Sequence, residues 1–223
     1  HETLEEAAGL CADLDASTLV RGQNNQAEQS PLYLRLATKN LNTEDITAAS
    51  LDSLMLPFAG VFGGETKDGI RMTPLLKTSE KSQLINSMMA QFGADAIRRD
   101  FKSGMKSLNL AVRLTGDFPT AFPEGKPLPK ENESPKALQP NSDTNFLAKS
   151  VKPGVVILVG DADMIFDNFC VRSMNFFGSE AHQPINDNLA FFVNAVEQLT
   201  GSSDLIGIRS RGKIDRPFTR VLT

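Results

Sequence analysis

The sequence predicts an α/β fold with added antiparallel strands, and three observations carry that reading. Val155-Val156-Ile157-Leu158-Val159 is a run of five apolar residues that leads into Gly160, Asp161, Ala162 and Asp163. A short β-branched run closed by glycine and acidic residues predicts a strand buried on both faces, with a helix to follow. Leu32–Ala37 and Leu108–Leu114 instead alternate apolar with other residues, the period of a half-buried strand. Asn188–Thr200 places Leu189, Phe192, Val193, Val196 and Leu199 on one face and stops at Gly201, as an amphipathic helix packed by its apolar stripe does. Strands interleaved with helices in this way define the α/β class.

Taken in order, Glu2–Cys11 has an acidic start and apolar residues at helical spacing, so it predicts a short helix. Asp13–Val20 alternates as a strand, and Gly22–Ser30, rich in Gln and Asn, reads as loop. After the Leu32 strand, Asn40–Asp45 is a turn. A helical turn is expected near Ser50–Leu54, with a strand on either side of Pro57, because proline cannot donate to a central ladder. Ile70–Thr78 is a further strand, interrupted by Pro74. Ser79 is a plausible N-cap for a helical stretch from Glu80. Asn86–Lys102 carries Met88, Met89, Phe92, Ala96, Ile97 and Phe101 on one helical face, weakened by Gly93. Asp117–Pro140 holds six of the twelve prolines, so about 117–150 reads as a long exposed loop. Met164–Val171 is a short apolar helix and Asn175–Ile185 a loop. Asn186 or Asp187 caps the helix that follows. Leu205, Ile206 and Ile208 form a last extended segment before a basic tail. Residues 1–223 are read as a single α/β domain.

Composition removes several functions. The 223 residues carry a formal net charge of −4, so the basic face that nucleic acid or an anionic membrane requires is missing. No run approaches the 18 apolar residues of a membrane span, and any membrane attachment falls to segments outside this chain. With no Trp and one Tyr, an aromatic sugar platform or base-stacking site is disfavoured. Cys11 and Cys170 are too few for a disulfide framework; they read as two small buried hydrophobes, or as one bridge in an oxidising compartment. No P-loop, GxGxxG, HExxH or GxSxG pattern occurs, and two histidines do not suggest a zinc site. No cofactor is indicated.

Asp161 and Asp163 are the one chemically suggestive constellation. Two carboxylates at the end of a strand are candidates to hold a divalent cation, or a ligand such as a sugar or peptide. The ordinary role for such a pair is one helix cap and one solvent-facing charge. A hydrolase or metal-dependent enzyme is the alternative to a binding module.

Several phrases in order carry a resemblance: Ala49–Gly60, Pro74–Ser79, Val156–Met164, Asn188–Thr200 with Ser203–Arg209, and Arg216–Val221. From about Leu32 onward the chain resembles the auxiliary component of the uncharacterised ABC-type transport system linked to gliding motility in some bacteria. The resemblance implies an extracytoplasmic, periplasmic region flanked by transmembrane anchors. It implies partners in the permease and ATPase subunits, reached through the parent protein. It also implies a flavodoxin-like or class I glutamine-amidotransferase-like sheet with helices on both faces, incomplete here because the earlier strands would precede His1. The amidotransferase cysteine has no counterpart, so the resemblance implies a non-catalytic role.

Overall fold

The computed structural model describes residues 5–6, 9–21, 25–122, 147–176 and 179–201. Its strands are β1 (Glu5–Glu6), β2 (Leu10–Asp13), β3 (Ser17–Arg21), β4 (Ala27–Ala37), β5 (Ser53–Pro57), β6 (Phe62–Gly63), β7 (Ile70–Lys77), β8 (Ser82–Ile85), β9 (Asn109–Gly116), β10 (Gly154–Val159), β11 (Val171–Phe176) and β12 (Ser179–Pro184). The α-helices are α1 (Gly93–Arg99), α2 (Asp167–Cys170) and α3 (Asn188–Leu199). This is a mixed α/β protein of several antiparallel sheets and few helices.

The largest sheet is organised on β9. It pairs with β7 on one flank, from Ile70↔Gly116 to Lys77↔Asn109. On the other it pairs with β10, from Gly154↔Gly116 to Val159↔Ala111. Asn109 also pairs with Phe62, so β6 continues the flank of β10, and β1 adds to β6. The remaining sheets are β3-β4-β5, β2-β8 and β11-β12. In β4, Leu32, Leu34 and Leu36 face the core, while Tyr33 is half-buried and Arg35 exposed on the other face. Of the four prolines within strands, Pro184 ends β12, and the other three sit where a missing N–H does least harm. Pro31 falls in the register shift opposite Ser17/Thr18, and Pro74 at the bulge before Leu76. Pro57 ends β5, an outer strand of its sheet.

The main core gathers Leu34, Leu36, Leu54, Leu56, Leu75, Leu76, Leu110, Met164 and Phe191. Each such side chain contributes roughly 1.5–3 kcal/mol by leaving water. Buried Asp45 and half-buried Arg113 form an ion pair: Asp45 Oδ2 lies 2.8 Å from Arg113 Nη1, without the alignment of a hydrogen bond. Asp13 is also fully buried, and its carboxylate accepts N–H groups of Asp15, Ala16 and Ser79 and the Ser79 hydroxyl.

Several expectations change. The strand at Val155–Val159 exists, but it is not buried on both faces: Val155 is 41% and Val156 37% exposed. Among the described residues it pairs with β9 alone, and antiparallel. Five apolar residues in a row carry no period, so they cannot tell one buried face from two. The pairings among the described residues are all antiparallel, unlike the parallel core of a flavodoxin-like sheet. The helix expected at Glu2–Cys11 is replaced at its end by β2, because Leu10–Asp13 pairs with Ser82–Ile85. The same pairing makes a strand of the stretch after Ser79. The helix expected over Asn86–Lys102 is split into a 3-10 segment, Ser87–Phe92, and α1. Gly93 breaks it with φ +83°, a conformation glycine adopts without strain. Within the loop expected at Asn175–Ile185, Ser179–Pro184 is a strand, β12, paired with β11.

The largest reversal is α3. Its helix is where the sequence places it, but it is turned over. Asn188, Phe191, Asn194 and Ala195 are buried; of the predicted stripe, Phe192, Val193, Val196 and Leu199 are exposed and Leu189 is half-buried. The base of the proline-rich segment is closed by Thr120 N–H to Ala148 and Ser150 N–H to Phe118. Residues 123–146, the Leu205–Ile208 segment and the basic tail lie outside the described residues.

Candidate functional site

The turn after β10 is held from both sides. The Gly160 N–H donates to the Leu110 carbonyl at 2.9 Å, and the Gly160 carbonyl accepts from Gly60 N–H at 2.8 Å. A Cβ at residue 160 would collide with the Gly60 carbonyl, so close backbone approach demands glycine here. Asp161 follows, buried. Its Oδ1 accepts from the N–H groups of Asp163 at 2.8 Å and Met164 at 3.2 Å, opening the 3-10 turn Asp163–Ile165. Of the two carboxylates, Asp161 therefore acts as the cap.

Asp161 Oδ2 is buried without a hydrogen-bond partner. Burial pushes the carboxyl up to about 7; the Asp163 charge adds to the rise, while the Asp163 and Met164 N–H bonds oppose it. Asp163 itself is exposed. Its charge reaches Tyr33, whose phenol is held above its ordinary value by burial first and Asp163 second. The two carboxylates share a turn but divide its roles. Among the described residues, no group of three or more His, Cys, Asp or Glu is placed to hold a metal.

A second polar assembly joins this turn to the β3-β4-β5 sheet. The outer edge of β5 would expose its N–H and C=O groups, and the start of α3 covers them. Asn188 is fully buried. Its Oδ1 accepts from Met55 N–H at 2.9 Å, and its Nδ2 donates to the carbonyls of Met55 at 2.7 Å and Met164 at 2.6 Å. The side-chain amide thus stands in for a neighbouring strand. Asp187 Oδ2 accepts from Asp52 and Ser53 N–H groups, so its carboxylate serves β5 and does not cap its own helix. Asn186 takes that role, its Oδ1 accepting from Asn188 N–H.

Beside this edge lies a cavity of about 270 Å³. β4 and β5 supply Arg35, Ser53 and Met55; the cross-strand pair Arg35↔Met55 puts both on one face. α2 supplies Asn168 and Phe169, β11 supplies Arg172, and the turn into α3 supplies Ile185 and Asn186. Neither Asp161 nor Asp163 lines it. Sequence reading missed this cavity. Arg35 was visible as an outward member of an alternating strand, but its companions come from segments far along the chain. Nothing local marked Arg172.

The remaining sequence candidates are structural. Cys11 and Cys170 are buried and free, which removes the bridge. Burial, helped by Asp13, pushes the Cys11 thiol up to about 12. His182 is exposed and its Nδ1 lies 3.0 Å from Ser173 Oγ across the β11–β12 hairpin. Among the described residues, no helix is long and apolar enough to cross a membrane.

Fold and site together define a mixed α/β domain with an arginine-lined cavity. The family described as an ABC-type uncharacterized transport system matches residues 8–195, and the chain belongs to it. The family's name marks an auxiliary component, and its description is one of transport, not of gliding motility. No curated protein and no solved structure matches the chain.

Proposed function

We propose that this chain is a contact-making, non-catalytic domain of an ABC-transporter auxiliary protein. Segments of its parent outside this chain hold it on the extracytoplasmic face of the inner membrane. It acts by bringing the parent against the permease and ATPase subunits, which carry out the ATP-driven work. Family membership across residues 8–195 supports the transport role. The observation that carries the contact role is the outward stripe of α3, where Phe192, Val193, Val196 and Leu199 are 37–49% exposed. An apolar stripe left in water marks a surface that a partner covers.

The test is recovery from intact membranes. Capture of the membrane-bound parent is expected to bring down permease and ATPase subunits. Phe192→Asp with Val196→Asp should reduce that recovery while leaving the unfolding midpoint unchanged. Failure to recover either subunit with the unaltered parent sinks the proposal.

A sheet completed by further strands of the parent belongs to the same proposal. β10 has one strand partner among the described residues, which leaves its other side for strands of the parent. A structure of the longer parent with no strand there would remove this part. Acid–base or metal chemistry at Asp161 and Asp163 is the second reading, favoured by the unpartnered buried Oδ2 of Asp161. It requires turnover of an ester, phosphoester or peptide that is lost in Asp161→Asn; no turnover with or without divalent cations ends it.

A further inference from the structure

The cavity beside β5 has a consistent chemistry, and the geometry points to a binding site for a carboxylate carried on a small apolar group. Its two charged side chains, Arg35 and Arg172, are both donors, and Asn168 has an amide N–H to give as well as an oxygen. Arg35 spends only its Nε, on Ser53 Oγ at 3.3 Å, which leaves the outer edge of its guanidinium available. Neither Arg35 nor Arg172 has a carboxylate within ion-pair distance among the described residues. Ser53 Oγ accepts from Arg35 and keeps its own proton to give. Asn186 is already committed: its Nδ2 donates to the Phe169 carbonyl at 2.6 Å and its Oδ1 accepts from Asn188. These two bonds fix it as part of the wall.

A pocket whose charged groups are both guanidinium donors selects an acceptor-rich group. Two guanidinium forks match the planar, two-oxygen geometry of a carboxylate better than a point anion. Met55, Phe169 and Ile185 supply the apolar remainder of the lining, so the group bearing the carboxylate is itself apolar. The volume of about 270 Å³ lies just below the usual range for ligand pockets, about 300–1,000 Å³. It suits one amino-acid-sized unit and not a long chain. The rigidity is built in. The Asp187 and Asn188 side chains that seal the edge of β5 also hold Ser53 and Met55 in place. The ligand is either a free apolar acid or the end of a peptide, since both present the same group.

Calorimetric titration of the full chain separates these outcomes. The probes are N-acetyl-leucine, its uncharged amide, inorganic phosphate and a tetrapeptide ending in leucine. N-acetyl-leucine is expected to bind, with the amide and phosphate each weaker by about tenfold or more, the cost of a lost charge-assisted hydrogen bond. Arg35→Gln and Arg172→Gln should each weaken binding by a similar factor. Both side chains are exposed, so the urea midpoint should not move. Added NaCl should weaken wild-type binding, a readout that needs no variant. A tetrapeptide about tenfold tighter than N-acetyl-leucine assigns the ligand to a chain end; equal affinity assigns it to the free acid. Equal binding of acid and amide, phosphate at least as tight as the acid, folded variants that bind normally, or no heat at about 10 mM would each overturn the proposal. The membrane capture experiment is unaffected by any of these results, so the two readings fail separately.

Discussion

Asn188 is the most exposed point of the argument because one side chain performs three tasks at once. Removing it in Asn188→Ala takes away three hydrogen bonds of 2.6–2.9 Å. The Met55 N–H and the Met55 and Met164 carbonyls then lack partners inside the protein. Each lost bond costs about 1 kcal/mol, and each buried group left unsatisfied adds about 1–3 kcal/mol unless water reaches it. Met55 is only half-buried, so water relieves part of the penalty and the total should be about 3–4 kcal/mol. For a chain of this length that lowers Tm by roughly 6–16 °C. Asn188→Asp is the sharper variant. It keeps the acceptor for Met55 N–H but turns a carboxylate oxygen toward two carbonyls, so it should cost more than alanine. Urea and thermal unfolding of the three proteins measure both effects. A loss below about 1 kcal/mol in the alanine variant, or an aspartate variant as stable as wild type, would refute the edge-sealing role.

Asp161 makes stability depend on pH. Its carboxyl is pushed up to about 7 in the folded protein, against about 3.9 when unfolded. Between these values the folded state holds a proton that the unfolded state has lost, so the stability present below about pH 4 falls as pH rises through 7, by roughly 2–4 kcal/mol. Asp161→Asn keeps the capping oxygen and should flatten that slope in urea titrations at a series of pH values; an unchanged slope removes the assignment. Gly160→Ala forces a methyl group against the Gly60 carbonyl and should destabilise by about 1–3 kcal/mol; a neutral effect in thermal unfolding would show the two turns are free to separate. Cys11, with its thiol at about 12 and no exposure, should resist thiol reagents until the protein unfolds; fast labelling of the native chain contradicts the burial.

How much was legible in the sequence varies with how local the cause is. The β4 and β9 strands were readable because alternation in Leu32–Leu36 and Leu108–Leu114 reports one buried face directly. That Asp161 or Asp163 caps the turn was readable because a cap acts on amides two and three residues away; that it is Asp161 was not. The extent of α3 was readable too, from its period and from Gly201, which takes φ +80° at its end. Its orientation was not. The apolar stripe is the face a lone helix would bury, yet Asn188 and Asn194 are turned inward. Asn188 is called for by the open edge of β5, and Asn194 Nδ2 donates to the Thr47 carbonyl at 3.3 Å.

By itself the sequence determined the α/β class, the main strands and a carboxylate cap after β10. Those depend on residue type and short-range spacing. Only the tertiary structure decided that β10 runs antiparallel to β9, that the N-terminal stretch pairs with β8, and which face of α3 meets water. It alone brought Arg35 and Arg172 to one cavity. Each of these depends on partners tens of residues away, where unmet backbone hydrogen bonds outweigh local propensity.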